Sequence, residues 1–502
     1  MLFNSFEFLL LFLPLTLVGF YFLARFRSVP LVLAWLVLCS LFFHGYWKAS
    51  YTWLFLCSMV VNYLFGLACL PALGKPAWQR RATIIAAVIF NLGLLAYFKY
   101  AGFLAGVVWQ ISGYFFNPGD IVLPLAISFY TFQQISFLVD TYRGRCPRYG
   151  FMQYAAYLAF FPHLIAGPIV RHDNLIHQMG DKAILHPKAE NFLSGMAIIM
   201  IGLFKKVVLA DGAAAYVNPV FFAAGNGAQI GFVEGWLAAV LFSFVIYFDF
   251  SGYSDIAIGL ARLFNVRFPE NFASPYKATN IVEFWRRWHI TLSYFLRQYL
   301  YIPIGGNRKG TLRRYSNIMV TMLVGGLWHG AGWNFIIWGG LHGIYLAIAH
   351  AWRHQRQSRN LPGNTASGRL VARIATYLAV VIAWVFFRAT TLDQACVVLS
   401  AMVGLTGFGL HVEMPAGLLG NPVLSAAAMS VVLLAIVNLL PNTQQFMRYF
   451  QPVIHSSSEE PSGYARRIVW KLNFPSICFV AALGVYAISQ MEYVQSFIYF
   501  RF

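Results

Sequence analysis

Long apolar runs separated by short polar segments make up most of the chain. The runs cover residues 8–24, 31–44, 52–70, 82–98, 102–116, 121–139, 192–210, 236–248, 318–350, 371–388, 395–410 and 423–440, and a last run starts near Pro475. A membrane-spanning helix needs about 20 predominantly apolar residues, and many of these runs approach that length. The pattern therefore predicts an all-α, polytopic helical membrane protein.

Basic residues concentrate in the polar segments and predict which side each segment occupies. Residues 75–81 hold three Lys or Arg, and residues 143–148 hold another three. Because cytoplasmic loops carry the excess of Lys and Arg, both segments are predicted to be cytoplasmic. Three apolar runs lie between them, and an odd number of crossings cannot return the chain to the same side. One run, the short 102–116, is therefore predicted to be partial or interfacial.

Two further segments carry polar residues at predicted helix breaks. In FFPHLIAGPIVR, residues 160–171, two prolines and a glycine oppose a continuous helix. His163 is then either a histidine hydrogen-bonded at the break or part of a substrate passage. In YFDFSGYSDIAIGLARLF, Asp249 and Asp255 need partners or water, because a bare carboxylate in lipid is costly. A helix break at Ser251-Gly252, capped by Asp249 and Ser254, is favoured there over direct catalysis.

Residues 262–314 form a basic segment that is predicted to be cytoplasmic, with ten Lys or Arg against two Glu. Within it, aromatic and apolar residues recur at helical spacing and predict one amphipathic helix near the membrane interface. The stripe consists of Trp285, Trp288, Leu292, Phe295 and Tyr299. His289 lies beside this stripe. The loop after it, with Arg308 and Lys309, either contacts phosphates or only sets the topology.

The run 318–350 is too short for two complete membrane crossings. Basic residues flank it on both sides, at 313–314 and again from Arg353 to Arg359, so both flanks are predicted to be cytoplasmic. The chain must therefore enter the membrane and return within the 33 residues from Ile318 to His350. Two full crossings need roughly 40 residues. One of the two legs is therefore predicted to stop inside the membrane.

The shorter of these legs ends at a histidine. Ile318–Trp328 is too short to cross, whereas Ala331–Ala349 is nearly long enough. The turn at Trp328-His329-Gly330 is therefore predicted to lie within the hydrocarbon layer. Irregular backbone persists at that depth only beside protein or a water-filled cavity. An imidazole held there is a candidate for function.

Composition narrows the class of protein further. The chain is 59% hydrophobic and 11% charged, against about 25% charged residues in a typical soluble domain. The net charge of +19 lies in the loops, as expected for membrane topology and not for nucleic-acid binding. The six cysteines are scattered and form no CxxC pair, so neither a metal site nor a disulfide framework is predicted. The run 8–24 lacks the basic start of a signal peptide, so it is predicted to be a membrane helix.

Several of these segments resemble the membrane-bound O-acyltransferase (MBOAT) family, in particular its bacterial exopolysaccharide branch typified by alginate O-acetylases. They are FFPHLIAGPIVR, YFDFSGYSDIAIGLARLF, PENFASPYKATNIVEFWRRWHITLSYFLRQYLYIPIGGNRKG, GLWHGAGWNFIIWGGLHG and the terminal FIYFRF. The resemblance places the family histidine of the WHG motif on His329 and its upstream partner on His289. Gln298 stands where the family pattern has Asp, which puts any role of that Asp in doubt here.

The resemblance also implies an architecture and an activity. The expected fold is a ring of roughly 11–13 tilted membrane helices, with re-entrant and interfacial segments around a central funnel. The expected enzyme is an acetyltransferase (EC 2.3.1 class) of the bacterial inner membrane. Independently of the resemblance, Arg25 and Arg27 after the first run predict a periplasmic N-terminus. The enzyme would use cytoplasmic acetyl-CoA, bind no covalent cofactor, and acetylate a secreted polysaccharide of alginate or cellulose type. Membrane lipids and a periplasmic acetyltransferase or other polysaccharide-modification protein are the further expected partners.

Acetyl transfer to a hydroxyl needs a base, and neutral imidazole can take the proton. His329 is the predicted base, and His289 is predicted to orient the reacting groups or polarise the thioester carbonyl. Other residues are predicted to line the pocket or to contact the donor phosphates. The pocket residues are Trp328, Trp333, Asn334, Trp288 and Trp285, and the phosphate contacts are Arg308 and Lys309.

Two other functions fit the composition and stay open at this point. A transporter also contains intramembrane histidines and broken helices, although no inverted repeat is visible in the sequence. If the protein were a non-catalytic scaffold of a polysaccharide secretion complex, His329 would only pack in the core and have no catalytic role. For the acyltransferase, residues 1–502 are predicted to form one integral-membrane domain. Its parts are N-terminal helices at 1–140, a catalytic core at 141–350 and C-terminal helices at 351–502.

Overall fold

The protein is helical throughout the part of the chain that the structure describes. A computed structural model describes residues 1–71, 74–115, 117–360, 365–460 and 463–491. Within these ranges, β pairing is limited to an isolated bridge between Phe268 and Val453, and eight helices are long and apolar enough to cross a membrane. The predicted all-α, multi-pass fold class is confirmed. The terminal FIYFRF motif, residues 497–502, lies outside the described residues.

The helices follow one another with mostly short connections. In chain order they are α1 (Glu7–Ala24), α2 (Val29–Gly45), α3 (Ala49–Cys69), α4 (Ala77–Ser112), α5 (Ile127–Tyr142), α6 (Phe151–Ala159), α7 (Phe161–Leu164), α8 (His172–Gly180), α9 (Ala189–Gly225), α10 (Phe232–Leu263), α11 (Ile281–Arg287), α12 (Ile290–Leu296), α13 (Gly310–His329), α14 (Trp333–Ser358), α15 (Ala366–Arg388), α16 (Leu392–Met402), α17 (Pro422–Leu439), α18 (Thr443–Phe446) and α19 (Phe474–Ser489). π-Helical turns lie within α4 and α9, and another extends α12.

These helices belong to two compact units. The first unit comprises Met1–Ile201, Tyr253–Glu270 and Tyr449–Ser456. Among the described residues, the second comprises Gly202–Gly252, Asn271–Arg448 and the chain from Ser457 onward. Both candidate histidines, His289 and His329, belong to the second unit. The expected arrangement of the helices as a ring around a central funnel stays a prediction.

Helix α4 corrects the predicted division of the chain at residues 82–116. The two runs 82–98 and 102–116 belong to one continuous helix of 36 residues, with a π-helical turn at Ala96–Tyr100 between them. The predicted partial or interfacial run is therefore not a separate element. Since α4 and α5 are then the two helices between the basic segments 75–81 and 143–148, an even number connects them. Both segments can lie on the same side without an extra crossing.

The first unit contains the proline-rich break that the sequence predicts. Helix α6 ends at Ala159, the short α7 begins at Phe161, and Gly167 adopts a left-handed backbone conformation with φ of 112°. His163 is fully buried in α7, and its Nδ1 lies 2.9 Å from Nε2 of Gln133. The interruption of the helix is confirmed, and the histidine at the break is hydrogen-bonded. A substrate passage at His163 stays a prediction.

Helix α10 is continuous, so the predicted break at Ser251-Gly252 is wrong. A Cβ on Gly252 would come within 2.7 Å of the Gly202 carbonyl oxygen, so glycine is needed for close packing against α9 and not for a turn. Asp249 pairs with buried Lys206, whose Nζ lies 2.7 Å from both Asp249 Oδ1 and Asp211 Oδ1. This pairing is not visible in the sequence, because Lys206 and Asp249 lie on different helices.

We expect Lys206 to stabilise the fold more than its neighbour Lys205. Lys206→Met removes the cation that two buried carboxylates share, and breaking a buried ion pair in this way costs about 3–5 kcal/mol. Lys205→Met changes the same charge at a half-buried position. Thermal unfolding of both variants in detergent should therefore give a clearly lower Tm for Lys206→Met. Equal Tm values would show that the buried cluster contributes little.

Candidate functional site

The site is built on the hairpin of α13 and α14, which pack closely through glycine. An added Cβ on Gly326 would strike the carbonyl oxygen of Phe335, and one on Gly339 would strike that of Met322. Glycine at these positions lets the two helix backbones approach each other directly. The hairpin turn at Gly330–Gly332 is extended, with φ of −163° and −169° at its ends. The predicted turn is confirmed, although helix α13 continues through His329.

Helix α13 is longer than the predicted entering leg, with 20 residues, but only the returning helix is both long and apolar enough to cross a membrane. Helix α14 is among the eight candidate membrane spans, whereas α13 is not. The first half of α13 contains Arg313 and Arg314, so its apolar part is confined to the segment before His329. The position of His329 within the hydrocarbon layer stays a prediction.

His329 is the last residue of α13 and is surrounded by aromatic rings. It is 4% exposed. Its ring centroid lies 4.9 Å from that of Trp328, 5.1 Å from Trp338 and 5.3 Å from Phe387. These neighbours come from α13, α14 and α15, so three helices enclose the imidazole. Such an environment excludes water and strengthens any electrostatic interaction made inside it.

His289 lies at an unpredicted break in the amphipathic segment. The sequence predicts one helix there, but α11 ends at Arg287 and α12 begins at Ile290. His289 joins them with a left-handed backbone, φ 40° and ψ 56°. This conformation is uncommon for a residue other than glycine and indicates that the surroundings hold it in place. The predicted single helix is wrong because the histidine turns inward at this point.

Asn271 fixes the orientation and the tautomer of His289. Its Oδ1 lies 3.1 Å from His289 Nδ1 and also accepts a hydrogen bond of 2.9 Å from Thr291 Oγ1. Because an amide oxygen only accepts, His289 must carry its proton on Nδ1. Nε2 then has a free lone pair, and it has no hydrogen-bond partner among the described residues. Burial lowers the pKa of His289 to about 3, so its imidazole is neutral at physiological pH.

The structure brings the two predicted histidines together. Their ring centroids are 6.4 Å apart, and the Trp328 ring lies 6.3 Å from that of His289. The Phe250 ring stands edge-on to His289 at 4.7 Å. Two imidazoles, one of them with a defined acceptor nitrogen, therefore share one aromatic enclosure. The arrangement is suited to moving a proton between groups that bind between the rings.

Most of the other predicted site residues adjoin this enclosure. Trp288 packs on Trp384 at 4.9 Å, and Trp285 donates a 3.3 Å hydrogen bond to His342 Nδ1. Asn334 is buried and donates to the Ala389 carbonyl oxygen, so it anchors the start of α14 to the end of α15. Their assignment to the pocket stays a prediction.

Three predicted residues lie elsewhere. Trp333 is 45% exposed, in contrast to buried Trp328. Arg308 and Lys309 are exposed in the loop before α13. Because these two residues lie at the surface, a role for them depends on a ligand that extends from the surface to the histidines.

Sequence reasoning missed several residues that enclose the site, and Asn271 is the most informative of them. It follows Glu270 in the PENF motif, and only its position in the fold reveals that it holds His289. Trp338 and His342 recur at the four-residue spacing of a helix face, which is the signal that could have found them. Among the described residues, no group of three or more His, Cys, Asp or Glu is arranged to hold a metal ion.

Comparisons with known proteins agree on one family. The model of the MBOAT, membrane-bound O-acyltransferase family matches residues 147–389, a range that includes both histidines. The chain is 41% identical over 439 residues to the peptidoglycan O-acetyltransferase of Helicobacter pylori, which covers 82% of this chain and 81% of that protein. It is 39% identical over 470 residues to the probable alginate O-acetylase of Pseudomonas aeruginosa, covering 92% and 86%. A teichoic acid D-alanyltransferase of Bacillus subtilis is 26% identical over 281 residues, covering 54% and 68%.

The glycine contact between α13 and α14 can be tested with two adjacent glycines. Gly339→Ala forces a Cβ against the Met322 carbonyl oxygen, and such overpacking typically costs about 1–3 kcal/mol. At Gly340 the nearest atom to an added Cβ is Leu323 Cδ2 at 3.6 Å, which is ordinary contact. Thermal unfolding should show a lower Tm for Gly339→Ala only. A similar loss in Gly340→Ala would mean that any methyl group on this face is harmful.

Proposed function

Since the chain belongs to the membrane-bound O-acyltransferase family, we propose that it transfers acetyl groups from acetyl-CoA to hydroxyl groups of a secreted polysaccharide. The observation that carries this proposal is the pair of buried imidazoles, His289 and His329, whose rings lie 6.4 Å apart within one aromatic enclosure. Family membership makes the protein a membrane-bound acyltransferase, which argues against the transporter and scaffold alternatives.

The acceptor is proposed at the level of its chemical class. Two relatives near 40% identity are named for peptidoglycan and for alginate, and both names refer to carbohydrate polymers outside the cytoplasm. The proposed acceptor is therefore a sugar hydroxyl of an exported polymer, of alginate or cellulose type. The acetyl group reaches it either directly or through a periplasmic acetyltransferase partner that carries a hydroxyl of its own.

In the proposed reaction His329 acts as general base. The acceptor hydroxyl oxygen attacks the carbonyl carbon of the thioester while His329 takes the hydroxyl proton. The C–S bond then breaks, the ester forms, and the CoA thiolate receives the proton back from His329. The products are an acetyl ester and free CoA, so no other reactant is needed. The aromatic rings around His329 exclude water and thereby protect the thioester from hydrolysis.

The tautomer of His289 supports one of its two predicted roles. With its proton on Nδ1 and donated to Asn271, its Nε2 can accept a hydrogen bond but cannot donate one. Polarising the thioester carbonyl needs a donor, whereas holding a donor group of the acceptor substrate needs an acceptor. We therefore propose that His289 Nε2 accepts a hydrogen bond from a second donor group of the acceptor substrate, such as a neighbouring hydroxyl, and thereby orients the substrate, while the reacting hydroxyl gives its single proton to His329.

We propose that donor and acceptor approach from opposite sides of the inner membrane. The basic segment 262–314, with exposed Arg308 and Lys309, would face the cytoplasm and the CoA phosphates. Residues 211–231 and 411–422 contain no Lys or Arg. Helix α9 continues through Gly225, so of the first stretch only residues 226–231 would face the periplasm, together with residues 411–422 and the N-terminus. In support, the Glu234 carboxylate accepts backbone N–H groups from Gly231, His411 and Val412, each at 2.7 Å. This carboxylate joins the two segments, which supports placing them on one side of the membrane.

We expect His329→Ala to reduce acetyl transfer by at least about 100-fold, the lower range of a lost general base. His289→Gln should also lower the rate, because it disturbs the orientation of the acceptor. His354→Ala changes an exposed histidine of α14 and serves as the control. The measurements are thiol release from acetyl-CoA by purified protein and polymer acetylation in cells. Near wild-type transfer by folded His329→Ala would remove this residue from the mechanism.

If Arg308 and Lys309 contact the donor phosphates, Arg308→Gln/Lys309→Gln should raise the KM for acetyl-CoA and leave kcat nearly unchanged. The increase should be larger at low salt, where exposed charges are less screened. The control Arg466→Gln/Arg467→Gln removes the same charge from another exposed site. A KM that is unchanged at both salt concentrations would mean that these residues only set the topology.

A further inference from the structure

An open groove lies in the second unit beside α11, α14 and α15. Its volume is about 940 Å³, toward the upper end of the roughly 300–1,000 Å³ that small-molecule sites occupy. Its walls are formed by residues 279–281, the second half of α14 from Tyr345 and the first half of α15 up to Ala379. The groove is separate from the aromatic enclosure of His289 and His329, since it shares none of those rings.

One wall of the groove consists of small side chains. Ala372, Ala375, Thr376 and Ala379 line it and follow the three- and four-residue spacing of one face of α15. Opposite them, Ile348 and Trp352 of α14 are each 60% exposed. Both helices are candidate membrane spans. An apolar channel with exposed apolar rims on two such helices is suited to a hydrocarbon chain and not to a fully hydrated ligand.

The other end of the groove is cationic. Arg353 and Arg356 of α14 line it, and no Asp or Glu is among the described lining residues. His350 lies one helical turn before Arg353, and its Nδ1 is 2.5 Å from Arg314 Nη2. The guanidinium of Arg314 therefore adds a further positive charge near this end of the groove. Glu283 is the carboxylate nearest in sequence to the lining residues 279–281. It is already paired with Arg287, whose Nη2 lies 2.8 Å from Glu283 Oε1. This end therefore favours a negatively charged group.

We propose that the groove binds one anionic phospholipid, with its phosphate on Arg353 and Arg356 and an acyl chain along the alanine face of α15. Arginine is suited to phosphate because its guanidinium can donate two parallel hydrogen bonds. The basic residues place this end of α14 at the cytoplasmic leaflet, where anionic lipids are enriched. Binding of this lipid does not depend on acetyl transfer. The lipid would contact the helices beside α11, and α11 is the element that precedes His289.

The test uses purified full-length protein in a non-ionic detergent and native mass spectrometry. Phosphatidylglycerol is the probe, and phosphatidylcholine with the same acyl chains is the uncharged comparison. We expect one phosphatidylglycerol to be retained per protein and phosphatidylcholine to be retained much less. Arg353→Gln/Arg356→Gln should weaken phosphatidylglycerol binding by about tenfold or more, since each basic residue near a lipid surface adds to the attraction for an anionic headgroup. The control is Arg466→Gln/Arg467→Gln, which should bind like the wild type.

A second variant tests the hydrocarbon part without changing charge. Ala375 is exposed in the groove wall, so Ala375→Trp fills the channel without disturbing the core. It should lose phosphatidylglycerol while its Tm in detergent stays close to that of the wild type. Competition with inorganic phosphate and with acetyl-CoA identifies the source of the phosphate. The expected result is that neither displaces the lipid.

Three outcomes would overturn the proposal. Equal binding of phosphatidylglycerol to the wild type and to both groove variants would place the lipid elsewhere. Displacement of the lipid from the wild type by acetyl-CoA would make the groove a donor site. A dimer in the native spectrum that Ala375→Trp dissociates would show that a second copy of the chain covers this face.

Discussion

The close approach of α13 and α14 is the constraint on which the candidate site depends. At Gly326 and Gly339 the two backbones leave no room for a Cβ. This contact brings Trp338 of α14 to 5.1 Å from the ring of His329, which ends α13. Larger residues at the two glycines would separate the helices and open the enclosure. The position of the imidazole thus depends on the backbone packing of the two helices.

Burial of the second histidine raises a different problem, because an imidazole in apolar surroundings needs a hydrogen-bond partner. Asn271 provides one, and Thr291 holds the same amide oxygen. The left-handed backbone of His289 costs on the order of 1 kcal/mol or more, and the bond to Asn271 offsets part of this cost. Strain of this kind persists where the surroundings fix a side chain firmly. At His289 the left-handed backbone separates α11 from α12 and turns the imidazole toward His329.

Charged residues of the second unit are either paired inside or placed at the ends of helices. Lys206 is enclosed by two carboxylates in the middle of long apolar helices, where an isolated charge would be costly. Arg353 and Arg356 instead lie at the basic end of α14, where a phosphate can reach them. This distribution of charge explains why the +19 net charge does not prevent insertion into a membrane. The excess charge lies in loops and at helix ends.

The sequence alone determined the helical class, the short leg before His329, and the family to which the motifs belong. These features depend on the length of apolar runs, the position of basic residues and local motifs, all of which are local properties of the chain. Only the tertiary structure decided that Ser251-Gly252 continues a helix, that Lys206 pairs with Asp249, and that Asn271 sets the tautomer of His289. Each of these depends on a partner from another part of the chain, so no local pattern records it.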